Sequence, residues 1–159
     1  MNITFGDEQD DPSPAETSPA GELPALAELV MSAEGLAPDT AVSITLVDEA
    51  TITDLNATHL GKTGPTDVLS FPIEDATPGN PPQTGTGGPP VSLGDVFIAP
   101  SVVRSNAERD GVRFDDEMAL MVVHGMLHLL GWDHVDDDDA VAMEKREGEL
   151  LSLTGRVRP

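Results

Sequence analysis

The chain has 159 residues, enough for one domain and little more. Twenty-nine acids against eight bases give a net charge of −21, and cysteine is absent. Disulfide bracing and thiolate metal sites are thereby excluded, and any borderline metal must take imidazole and oxygen ligands.

Residues Asn2 to Phe5 alternate polar and apolar and form a plausible first strand. Asp7 to Gly21 is rich in Asp, Glu, Pro and Ser without periodicity and reads as a solvated, flexible loop. Leu26, Leu29, Val30 and Ala33 then fall at helical spacing, with Pro24 near the start and Gly35 just past the end. Val42, Ile44 and Leu46 alternate as a half-buried strand does. A short helix follows, with Asp48 or Thr51 as candidate cap and Ile52, Leu55 and His59 along it.

Val68 to Phe71 reads as a strand that runs into Glu74 to Pro90, an exposed loop dominated by Pro and Gly. Val91 to Ile98 is again strand-like, and Pro100 opens a helix that Gly111 closes. The clearest element spans about residues 115–130. Asp115, Asp116 and Glu117 sit in its first turn, where acids suit the positive end of the dipole, and Met118 to Leu130 is almost wholly apolar. Met118, Met121 and Met126 are core filler there. After the acidic run Asp136 to Asp139, a last amphipathic helix runs to about Leu153. That run lacks the turn Gly and the twelfth-position Glu of a calcium loop, so it reads as a solvated helix start.

The order β-α-β-α-β-β-α-α-α predicts an α+β fold: one small mixed sheet packed with about five helices, in a single domain over residues 1–159, with 7–21 and 74–90 flexible. With aromatics at 3%, its core must be built from Leu, Val, Ile, Ala and Met. No apolar run approaches the roughly 18 residues of a membrane span. Met1 to Glu16 carries no Lys or Arg, unlike a secretory or organellar leader, so a cytoplasmic protein is expected. The acids are spread along the whole chain, as in proteins adapted to a salty cytoplasm, where charge is screened within about 3 Å at 1 M salt. Net charge therefore weighs only weakly on function.

Three of the four histidines lie within eleven residues, His124-Gly-Met-Leu-His128-Leu-Leu-Gly131-Trp-Asp-His134. His124 and His128, four apart, project from one helix face and can share an ion. Gly131 lets the chain leave the helix sharply, so that His134 can return as a third ligand. Three neutral nitrogens leave one tetrahedral position open, the pattern of a catalytic zinc site, with one ion per chain. As plain core histidines they would instead leave several polar nitrogens buried without visible partners, at about 1–3 kcal/mol each. The spacing also matches the metzincin protease frame, but the residue after the first histidine, a Glu base in those enzymes, is Gly125 here. A mid-helix glycine costs about 1 kcal/mol against alanine, which implies a close approach to the backbone at that point.

The segment His124 to His134 resembles the signature of the YbeY family of bacterial rRNA-maturation endoribonucleases, His-Gly-x-Leu-His-Leu-x-Gly-aromatic-Asp-His. Gly64-Pro65-Thr66-Asp67-Val68-Leu69-Ser70-Phe71-Pro72 and Leu93-Gly94-Asp95-Val96 are similar to two further family segments, in the same order. The resemblance covers about Val42 to Leu151. It implies a zinc-dependent hydrolase that cuts single-stranded RNA in small-subunit rRNA 3′-end processing, with rRNA and the small ribosomal subunit as partners. His124, His128 and His134 would be its zinc ligands. Many members carry a Tyr-Arg pair before the Pro-Thr-Asp segment; His59-Leu60 stand here, so a phosphate contact must come from elsewhere.

Asp133 is the one candidate for a catalytic base; orienting a histidine is the favoured expectation for it, and a plain turn residue the alternative. Asp67 and Asp95 stand on strand-like segments where a structural bond is the simpler expectation. Lys62, Arg104, Arg109 and Arg113 are the candidates for holding RNA phosphates. Two other readings stay open: a metal hydrolase of peptides or small molecules, and a non-catalytic ribosome-assembly factor stabilised by zinc.

Overall fold

The computed structural model describes residues 1–10, 22–83 and 87–159. Four strands, β1 (Asn2–Asp7), β2 (Ala41–Leu46), β3 (Val68–Pro72) and β4 (Ser92–Ile98), form one mixed sheet in the order β1-β2-β4-β3. β1 pairs parallel to β2 and β2 parallel to β4, while β3 runs antiparallel to β4 along the edge. Five helices complete it: α1 (Leu23–Ala33), α2 (Glu49–Leu60), α3 (Pro100–Asp110), α4 (Phe114–Leu129) and α5 (Asp137–Ser152). The α+β order expected from the sequence is the order found.

The alternation of β3 and β4 divides the interior. Val96 and Ile98 join the main core with α1, α4 and α5, whereas Phe97 joins a smaller cluster built on Val47, Ile52, Leu69 and Ala99. On β3, Val68 packs on the first cluster and Leu69 and Phe71 on the second. A period-two strand serves two apolar layers in this way, and it leaves Val68 and Ser70 turned towards α4. Ten residues of α4 are buried, so this helix is the centre of the main core. Each large apolar side chain buried there contributes about 1.5–3 kcal/mol relative to exposure.

Differences from the sequence reading lie at element ends. β1 extends through Gly6 to Asp7, paired with Thr45 and Leu46, because partner strand β2 is long enough to hold it. The expected loop thus begins later than Asp7, and its residues 11–21 lie outside those described. Asp48 occupies the N-cap of α2 without capping it; its Oδ2 accepts from the Asp10 amide at 3.1 Å instead. Asp136 does cap α5, accepting from the Asp139 amide at 2.8 Å. In the expected 74–90 loop, Thr77 bridges to Asn80 and Ala76 packs against Gly131; residues 84–86 lie outside those described. Among the described residues, no helix is long and apolar enough to cross a membrane.

Candidate metal centre and cleft

α4 carries His124 and His128, and its C-terminus carries the turn that returns His134. Gly131 adopts φ 90°, the left-handed region that glycine enters freely, and the Trp132 amide closes the turn on the Leu127 carbonyl at 3.0 Å. The chain then doubles back so that the three imidazoles converge. Their ring centroids lie 4.5, 5.1 and 5.5 Å apart, and one nitrogen from each falls within 4.8 Å of the others. The Nε2 atoms of His124 and His128 are only 3.0 Å apart. Two ring nitrogens facing each other at this distance need either a shared proton or a shared cation.

The rings fit a borderline divalent ion. Burial, with smaller contributions from the neighbouring His124 and His134, lowers the pKa of His128 to about 4 against the opposing charge of Asp133. His128 is therefore neutral at physiological pH, the form that ligates. Three nitrogens without thiolate or carboxylate favour a zinc-class ion over a hard cation such as magnesium.

The same burial predicts a pH effect on the metal-free protein. Below its ordinary value of 6.5, His128 takes up a proton in the unfolded chain but not in the fold until about pH 4. Stability is present above 6.5 and declines as pH falls through that window. Thermal unfolding in excess chelator should show a midpoint that drops from pH 7 to 5, and less steeply in His128→Ala. A slope unchanged by the substitution would contradict the assignment.

The histidines open onto a cleft of about 770 Å³ between β3 with the loop before it and the end of α4. Lys62, Thr63, Thr66, Ser70 and Trp132 line it. Ser70 donates its hydroxyl to the Gly125 carbonyl at 2.9 Å and ties the sheet edge to the helix that holds the site. Gly125 is explained at the same contact. A Cβ there would meet Val96 Cγ1 at 2.7 Å and the Ser70 and Val68 side chains at 3.3 Å. The close approach expected from the sequence is the sheet itself, and it leaves no room for a glutamate beside His124.

The other expected site residues are distributed unevenly. Lys62 is the only base lining the cleft among the described residues. Arg104 stacks over Phe114 at 4.6 Å, Arg109 pairs with Asp110 at 3.1 Å, and Arg113 sits exposed at the start of α4; none of the three lines the cleft. Asp133 lines it, but its Oδ1 accepts from the His134 amide at 2.7 Å and so shapes the turn. Asp67 accepts from the Val68 amide at 2.9 Å and meets Asn106 of α3 at 3.4 Å, a structural use.

One residue escaped the sequence reading. Glu147 of α5 is 1% exposed, and its Oε1 lies 3.1 Å from His124 Nδ1. Burial pushes its carboxyl up, but the hydrogen bonds and charges of His124 and Arg158 outweigh this and hold it below the usual range. A signal was available: Glu147 shares the buried stripe of α5 with Met143, Leu150 and Leu151, where an acid is out of place.

Residues 7–155 match the family model for "Endoribonuclease YbeY". The chain belongs to the YbeY family. It is similar to the endoribonuclease YbeY of Thermobifida fusca, 39% identical over 96% of this chain and 93% of that one, and to that of Symbiobacterium thermophilum, 41% identical over 82% and 81%. The Frankia casuarinae YbeY is 42% identical over 82% of this chain, which spans 65% of that relative's length. Among solved structures, the solution structure of TM1509 from Thermotoga maritima aligns over 96% of this chain and 91% of its own, with TM-score 0.59 and 25% identity. YbeY membership agrees with the resemblance carried by the histidine segment.

Proposed function

We propose that this chain is a zinc-dependent endoribonuclease that cuts single-stranded RNA during 3′-end processing of small-subunit rRNA, in the cytoplasm and in contact with the small ribosomal subunit. The observation that carries this reading is the convergence of three imidazoles at the wall of a cleft, in a chain of an endoribonuclease family. His124, His128 and His134 would hold the ion. When bound, a zinc-class ion supplies Lewis-acid polarisation of a phosphoryl oxygen.

The remaining work falls to the protein. Lys62 offers the cleft's positive charge for a phosphate, and the hydroxyl of Thr63 offers a neutral hydrogen-bonding group. A glutamate base in the protease manner has no space at position 125, which disfavours the peptide hydrolase. The nucleophile is then a water or the substrate's own 2′-hydroxyl, and the products distinguish them: a 2′,3′-cyclic phosphate marks the hydroxyl.

The test is cleavage of an RNA hairpin with a single-stranded tail, with and without chelator, at low and molar KCl. Tail cleavage that stops with chelator and returns with zinc is the expected result. Bound zinc without cleavage at either salt would leave a structural metal site and remove the nuclease. Within that assay, Lys62→Ala should raise KM several-fold with kcat little changed, and should reduce the salt slope of RNA binding by about one. An unaltered slope would remove Lys62 from the substrate path.

A further inference from the structure

We infer that Glu147, held from behind by Arg158, is the positioning residue that presents His124 to the metal through Nε2; this rests on the metal site proposed above. A neutral imidazole carries one N–H, and the group beside one nitrogen decides where it sits. Glu147 Oε1 is 3.1 Å from His124 Nδ1, and an ionised carboxylate can only accept. It therefore selects the Nδ1–H form and leaves the lone pair on Nε2, the atom that faces His128 Nε2 at 3.0 Å. Asp133, the nearest alternative in sequence, spends its Oδ1 on the His134 amide.

A structural ion pair would be the simpler reading of Glu147 and Arg158. Two features argue for more. The acid occupies a stripe otherwise filled by Met143, Leu150 and Leu151, where an apolar side chain would avoid the desolvation that a buried pair incurs. Its two oxygens are also divided: Oε2 accepts from Arg158 Nε at 3.0 Å while Oε1 serves His124. Both neighbours donate, so the site between them requires an acceptor on each side, which a carboxylate provides and an amide does not. The result is a relay from the half-exposed Arg158 to the wall of the cleft, and partners of this kind typically change metal affinity by about 10–100-fold.

The chemistry sets up a rescue experiment. In Glu147→Gln the amide oxygen is drawn to Arg158 and the NH2 group turned on His124, favouring the wrong tautomer. Zinc affinity, measured by competition with a chromophoric chelator, should fall about tenfold. In the double variant Glu147→Gln, Arg158→Ala the amide can turn its oxygen to His124, and much of the loss should be recovered. Nitrogen NMR of the metal-free proteins should show His124 protonated at Nδ1 in wild type and shifted towards Nε2–H in Glu147→Gln alone. A folded Glu147→Gln with wild-type tautomer and zinc affinity within twofold would overturn the inference. Wild type that takes up no zinc at all would instead overturn the metal site on which it rests.

Discussion

His128→Ala is expected to lose both the metal and the cleavage. Wild type should carry about one zinc per chain and the variant close to none, with RNA cleavage reduced at least about 100-fold. The size of the effect follows from geometry. His128 supplies the middle of the cluster, with its Nε2 3.0 Å from that of His124 and its ring 5.1 Å from that of His134. Two remaining nitrogens, one on an exposed turn residue, make a weak site. The fold should survive, because His128 is only partly buried and the buried positions of its helix, which hold the core, are apolar. Metal analysis beside circular dichroism separates the outcomes. Metal retained at one per chain would place the ion elsewhere; metal lost with cleavage retained would make the site structural.

Gly131→Ala should be the most damaging single methyl group in the site. Alanine at φ 90° is strained in any surroundings, at about 1–3 kcal/mol. Here the new Cβ would also stand 2.1 Å from the Ala76 carbonyl oxygen and 2.9 Å from Thr77 Cα, both backbone atoms. Neither a rotamer change nor a small side-chain shift relieves that, so the loop or the turn must move, at a further cost of about 1–3 kcal/mol. For a chain of this length the sum lowers the melting midpoint by roughly 5–20 °C. The turn also returns His134, so zinc affinity should fall in whatever fraction folds. A midpoint within a degree of wild type would mean that the contact between the 76–77 segment and the turn at Gly131 does not exist in solution.

Lys62 shows how a feature can be legible as a residue type and undecided as a role. Four bases had equal standing on charge alone, and only their placement separates Lys62 in the cleft from Arg104 on Phe114 and Arg109 on Asp110. Gly125 is the reverse case. Its cost in a helix signalled a close neighbour, but not that the neighbour was Ser70 and Val96 of the sheet.

The sequence by itself determined the element order, the apolar helix at the centre and the three histidines with their turn, because those rest on periodicity and on spacing within a few residues. Periods of 2 and 3.6 and a left-handed glycine are local properties, readable without neighbours. Tertiary structure alone decided what surrounds the histidines: Glu147, 23 positions from His124, and Ser70, 55 positions from Gly125. Hydrogen bonds of that range depend on how β3, α4 and α5 pack, and packing of apolar faces is non-directional at the level of pattern. A stripe of Met and Leu says that α5 will be buried, and only the packed fold says that the acid within it meets an imidazole.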